Sequence, residues 1–226
     1  MQAKSRPRAI AIDGPVASGK SAVGSRVARE LGYRFVDTGG MYRAVTVAAL
    51  DRRIDLHDEE ALGRLAESIS LQVEPQAAGP DRVLADGVDL TELLRTAEVG
   101  EAVSLVSRVP RVREAMVRLQ RELAAAGEIV MVGRDIGTVV LPDAPLKVYL
   151  DASPEERIRR RHDELLAAGE DASYGDVREE LALRDDIDSR RAASPLRPAE
   201  DAVHIDTDHL SLDEVVARIL ESACLS

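Results

Sequence analysis

Eight residues near the N-terminus, Gly14-Pro15-Val16-Ala17-Ser18-Gly19-Lys20-Ser21, constrain this chain more than any other stretch. They match G-x-x-x-x-G-K-[ST] at every fixed position and follow a short apolar run, residues 9–12, that ends at Asp13. Glycines at both ends of such a loop let backbone N–H groups turn inward around phosphate oxygens without a Cβ in the way. Beyond it, Val23, Val27 and Leu31 fall at helical spacing, and Gly32 stops the helix. The start of that helix adds the positive end of its dipole. Lys20 can reach the outer phosphates of a nucleoside triphosphate, and the Ser21 hydroxyl can ligate Mg²⁺. Residues 14–21 therefore read as a phosphate cradle between a buried strand and a helix.

The rest of the chain alternates strand and helix patterns. Short strands fit residues 34–36, 128–132, 146–150 and 202–205. Helices fit residues 110 onward, 154–167, 174–191 and 211–224, and a Gly39-Gly40 turn is expected to open another through Tyr42, Val45 and Leu50. Alternation of this kind calls for an α/β fold, a parallel sheet covered on both faces. Residues 70–73, 82–84 and 88–90 look instead like a small antiparallel insert, with turns at residues 75–80 and at Asp86-Gly87.

A net charge of -11 argues against a nucleic-acid polymer as partner, because duplex binding rests on a basic surface. Only Lys4, Lys20 and Lys147 are lysines among 30 basic residues, so the grouping of arginines is informative and their presence is not. A single cysteine, Cys224, excludes an intramolecular disulfide. Residues 1–7 are polar, unlike a signal peptide, and no run approaches the roughly 20 apolar residues that span a bilayer. A cytoplasmic protein with no membrane partner is the expectation.

A loop of this type serves kinases, ATPases and GTPase switches alike. A guanine-reading Asn-Lys-x-Asp segment is absent, since Lys147, in Leu146-Lys147-Val148, is the only lysine after residue 20. What remains is a kinase for a small acceptor or a nucleotide-binding regulatory switch. Four segments favour the first by offering a second anion site. They are Asp37-Thr38-Gly39-Gly40-Met41-Tyr42-Arg43; Ser104 with Pro110-Arg111-Val112-Arg113-Glu114; Gly133-Arg134-Asp135-Ile136-Gly137-Thr138; and Arg184-Asp185-Asp186-Ile187-Asp188-Ser189-Arg190-Arg191. Val177, Leu181, Arg184, Asp188 and Arg191 share one helix stripe that begins apolar and turns charged. The third segment follows a strand, and open α/β sheets bind ligands at strand carboxyl ends.

Residues 14–21, 37–43 and 133–140 and the run Arg184-Asp185-Asp186-x-Asp188, taken in order, resemble those of bacterial cytidylate kinases. The likeness runs over nearly the full length, including Pro142-Asp143-Ala144-Pro145 and Leu150-Asp151-Ala152-Ser153. It implies a P-loop three-layer sandwich forming a single domain over residues 1–226. Within it the core would span about 1–40 and 105–226, a small α+β monophosphate-binding insert about 41–104, and a short lid about 157–172. It implies ATP and Mg²⁺, with CMP or dCMP as acceptor, in a monomer. Arg43, Arg134 and Arg191 would hold the acceptor phosphate, and Ser104, Arg113 and Asp135 would face the cytosine. Arg184 and Asp188 would reach the sugar, Thr38 would join the CMP contacts, and Ser21 would hold the metal. Lys20, Arg134, Arg191 and the lid's Arg160 would touch the transferred phosphate. Cytosine presents an exocyclic amine where uracil presents a carbonyl, so a carboxylate such as Asp135 would favour CMP over UMP.

Overall fold

The computed structural model describes residues 6–74, 76, 81–191 and 193–225. Its first strand, β1 (Ala9–Asp13), is buried over its last four residues, and the cradle leads from it into α1 (Lys20–Leu31). β2 (Arg34–Asp37) and α2 (Thr38–Asp51) follow. The Gly39-Gly40 pair does not make a turn ahead of α2 but lies in its first turn. The Asp37 side chain accepts from Gly39 N at 2.9 Å and so caps the helix two residues earlier than the glycines suggest.

Next come α3 (Glu59–Ser68), β3 (Leu71–Glu74), β4 (Arg82–Ala85), β5 (Val88–Asp89), a 3-10 turn at Leu93–Arg95, α4 (Ala97–Ser107) and α5 (Pro110–Ala124). β3, β4 and β5 form the expected antiparallel sheet. They share a core of their own with α2 to α5, built from Met41, Val45, Leu62, Leu65, Val83, Leu94, Val103 and Met116. Of the turn expected at residues 75–80, residues 75 and 77–80 lie outside the described residues, as do residues 1–5 of the polar N-terminal stretch.

The chain then returns as β6 (Ile129–Gly133), a π-helical turn at Ile136–Val140, β7 (Leu146–Asp151), α6 (Pro154–Ala167), α7 (Tyr174–Arg190), β8 (Val203–Asp206) and α8 (Leu212–Leu225). The main sheet has the order β2-β6-β1-β7-β8, and every neighbouring pair is parallel. Val23 and Val27 of α1 and Val215 and Ile219 of α8 pack on one face, against Ile10, Ile12 and Val148. Val117 of α5 with Ile136 and Val140 of the π-helical turn packs on the other, against Ala11, Val36 and Met131. Covering on both faces explains why β6 reads Ile-Val-Met-Val without alternation. Each such side chain contributes about 1.5–3 kcal/mol on burial. α6 and α7 form a hairpin whose Ile158, Leu165, Val177 and Leu181 pack together with Val16 and Ala17 of the cradle. Among the described residues no helix is long and apolar enough to cross a membrane.

Candidate active site

Because all five strands of the main sheet run the same way, the segments after β1, β2, β6 and β7 gather at one edge. The cradle crosses this edge so closely that a Cβ on Gly14 would fall 2.1 Å from the Leu150 carbonyl oxygen. Gly19 opens α1 in the left-handed region at φ 88°, which turns the amides at the helix start inward. The Lys20 ammonium is buried and bends over the loop, donating to the Pro15 carbonyl and, at 3.3 Å, to Ser18 Oγ. Burial pushes it well below its usual range. Arg134 pushes the same way, while Asp37, Asp13 and Asp188 oppose. Ser21 Oγ donates to Asp37 Oδ2 at 2.5 Å.

Beside Lys20 lies a cluster of cations drawn from four elements. Arg43 is pulled down to about 10, first by burial, then by Arg184 and Arg161, with Arg134 adding and Asp37 opposing. Arg184 is also lowered, by burial and then by Arg134, despite Glu180 and Asp188. Like charges gathered in a partly desolvated place repel unless an anion enters between them. Asp188 provides part of that compensation by accepting from Arg134 Nε at 2.9 Å and Arg191 Nη1 at 3.3 Å. Burial alone would raise Asp188, but Arg134 and Arg191 outweigh it and hold the carboxyl below its ordinary value.

Behind this cluster the side chains change character. Arg113, only 3% exposed, donates to Asp135 Oδ2 at 2.6 Å and to the Ser107 carbonyl at 3.0 Å. Its guanidinium lies over the Tyr42 ring, 5.1 Å from the centroid. Ser104 is buried one turn before Ser107 on α4. Arg113 Nε and Arg191 Nη2 are buried with no protein partner among the described residues. Buried polar atoms without partners point to a polar ligand.

The cytidylate kinase family model matches residues 10–224, a span holding the cradle, the cation cluster and the buried Arg113–Asp135 pair. The chain belongs to the cytidylate kinase family. It is 52% identical over 212 residues to the cytidylate kinase of Geobacillus kaustophilus (strain HTA426), a match covering 94% of each chain. It is 49% identical over 212 residues to that of Carboxydothermus hydrogenoformans, covering 94% of this chain and 95% of the relative. A gluconokinase from Sinorhizobium meliloti 1021 shares the fold, with a TM-score of 0.50 at 17% identity over 98% of this chain and 94% of that one.

Of the residues expected from sequence, Lys20, Arg43, Arg134, Arg184, Asp188 and Arg191 converge with the Arg113–Asp135 pair at this edge. Two others in this cytidylate kinase fold are engaged elsewhere. The Thr38 hydroxyl donates to the Val132 carbonyl at 2.9 Å and fastens α2 to β6. Arg160 donates to Glu156 at 2.8 Å and to Thr207 Oγ1 and O at 2.9 and 2.7 Å, because it follows Glu156 by one helical turn. Arg161 is the residue that joins the cluster, with its Nε buried and unpartnered among the described residues. The sequence does carry its signal. Ile158 and Leu165 mark the packed face of α6, and Arg161 lies three residues after one and four before the other. Asp37 and Asp13 also gain contacts that no local pattern announces.

Proposed function

We propose that this chain transfers the γ-phosphoryl group of ATP to CMP and dCMP, giving CDP and dCDP by in-line displacement. One observation carries the reading. The cradle's ammonium, Lys20, lies in the field of Arg134 and Asp188, so a donor triphosphate and an acceptor anion held by arginines would adjoin.

The backbone amides of residues 14 and 16–21 hold the triphosphate, and Lys20 neutralises its outer oxygens. Ser21 Oγ and the Asp37 carboxylate are hard oxygen donors side by side next to the cradle, a set that suits Mg²⁺. When bound, Mg²⁺ supplies charge neutralisation at the β- and γ-phosphate oxygens. Arg43 and Arg134 bind the acceptor phosphate, and Arg161 and Arg184 complete the cationic ring. Arg184 thereby leaves the sugar, where the resemblance puts it, and Arg191 too is assigned a different place from the one the resemblance implies. Its neighbours Arg113, Asp135, Asp188 and Tyr42 support a position on the wall between sugar and base, with Asp188 reaching the sugar. Ser104, Arg113 and Asp135 face the cytosine, and Asp135 accepts from the exocyclic amine. The acceptor is already an anion at neutral pH, so catalysis is positioning and charge neutralisation without a general base.

The separate core of α2 to α5 supports a movable monophosphate-binding insert, and the α6–α7 hairpin supports a lid. The two close together to exclude water. A cytosolic monomer completes the reading. A coupled ADP-release assay over a nucleotide panel tests it. Turnover is expected with CMP and dCMP and far less with UMP, AMP and GMP. Turnover confined to a non-nucleotide acceptor, or hydrolysis without any acceptor, would retire it.

A further inference from the structure

We infer that Asp13 is a positioning residue that holds the acceptor loop in register with the phosphate cradle. Asp13 ends β1 and immediately precedes Gly14, yet its carboxylate serves neither the cradle backbone nor any substrate-facing arginine by hydrogen bond. Its two oxygens each accept one amide of a different loop, Oδ1 from Ile136 N at 2.8 Å and Oδ2 from Gly137 N at 2.7 Å. Those amides directly follow Arg134 and Asp135. The parallel ladder between β1 and β6 ends at the pair Asp13 and Gly133, so this two-pronged grip is the next link between the two strands.

The grip also explains how Asp135 comes to be available. A helical turn needs acceptors for its first amides, and an Asp at the N-cap position ordinarily supplies one itself. Asp135 stands at that position ahead of the π-helical turn but makes no side-chain cap, because its carboxylate is turned to Arg113. Asp13, 123 residues away from Ile136 in sequence, caps the turn instead. One carboxylate from the donor side thus fixes the backbone under Arg134 and releases Asp135 toward the pocket.

Asp13 is 3% exposed. The charged and titratable groups around it are Lys20 from α1, Asp135 from the acceptor loop and Tyr149 from β7, with the Lys147 stem packed against Gly137. Burial raises its carboxyl to about 6 against the pull of the two amides and Lys20, while Asp135 adds to the rise. The grip is therefore an ionised one at neutral pH and weakens in mild acid.

This inference rests on reading residues 134 and 135 as the acceptor loop, and the test separates the two. Asp13→Asn keeps one acceptor oxygen, and Asp13→Ala keeps none. The expected losses in kcat are about tenfold for the first and about a hundredfold for the second, of the order that small misplacements of reacting groups cost. KM for ATP stays within about twofold in both, because the cradle amides are untouched. In parallel, amide hydrogen exchange of the full-length protein reads Ile136 and Gly137 without any substrate. Their protection factors should fall in Asp13→Asn, and in the wild type they should fall as pH drops below about 6. Equal losses in kcat and ATP affinity, or unchanged protection of these two amides in the variant or across that pH step, overturn the inference. Should the variants fail to fold, the wild-type exchange series decides alone. A wild type that ignores CMP but shows the pH-linked protection would sink the functional reading and leave the grip of Asp13 standing.

Discussion

Replacing Asp135 by alanine probes the base-side pocket for stability and for specificity in one protein. Arg113 and Asp135 have side chains 3% and 4% exposed and meet at 2.6 Å. Removing the carboxylate leaves the guanidinium with the Ser107 carbonyl and the Tyr42 ring, and with its Nε already unpartnered. A buried pair broken on one side typically costs about 3–5 kcal/mol, since an uncompensated charge stays inside. In a chain of this size about 2–4 °C of Tm accompanies each kcal/mol, so the melting point should drop by about 6–20 °C. The double variant Arg113→Met/Asp135→Ala removes both charges, and most of that loss should return. For specificity, a carboxylate reading an exocyclic amine discriminates by about 1–3 kcal/mol, so the ratio of kcat/KM for CMP over UMP should fall about 5- to 150-fold. Thermal melts of the wild type and both variants and a coupled assay with both nucleotides measure everything required. A single variant melting with the wild type, or CMP and UMP losing activity in equal proportion, would refute the pairing argument or the base-reading role respectively.

Lys20→Ala should lower kcat by at least about a hundredfold with circular dichroism unchanged, because developing charge at the cradle loses its cation; near-normal turnover would remove the cradle assignment. Arg161→Ala should raise KM for CMP or lower kcat by about tenfold, while Arg160→Ala, whose guanidinium is held by Glu156 and Thr207, should change them less. The reverse order would return the phosphate contact to Arg160. Asp13 makes stability depend on pH. Its folded value of about 6 lies above the ordinary 3.8, so between these values the fold binds more protons than the unfolded chain and stability falls as pH rises. The effect amounts to about 3 kcal/mol across that window and is flat above it. Urea unfolding at pH 4 and pH 7 should therefore show Asp13→Asn gaining on the wild type by about that amount, and a pH-independent difference would contradict the buried carboxylate.

The sequence announces elements whose own residues carry their signals. Ser153 and Pro154 start α6 where expected, since Ser153 caps the helix by accepting from Glu156 N at 3.3 Å. The cradle is legible because its glycines and lysine are demanded by local backbone geometry. α3 carries such a signal in Asp58, which caps it by accepting from Ala61 N at 2.9 Å, but α4 has none. Gly100, Val99, Val103 and Val106 give α4 a β-branched, strand-like composition, and only packing against α2 and the insert core makes it a helix. Side-chain direction is equally hidden where it depends on distant neighbours. Nothing within residues 37–43 tells that Thr38 turns to Val132, and nothing near Asp13 tells that it waits for Ile136. The stripe from Val177 to Asp188 is legible because a single helix fixes its phase, while Arg191, expected within it, caps the helix end.

That same helix has a mechanical consequence. α7 is 17 residues long, or about 26 Å at helical rise, and works as one stiff rod. Its first half packs through Val177 and Leu181 on Val16 and Ala17 of the cradle, and its far half brings Arg184 and Asp188 to the arginine cluster. A tilt that tightens one end must shift the other. On the proposed function, whichever nucleotide bound first would still the rod for the second, and by thermodynamic reciprocity each would raise the affinity of its partner by the same factor.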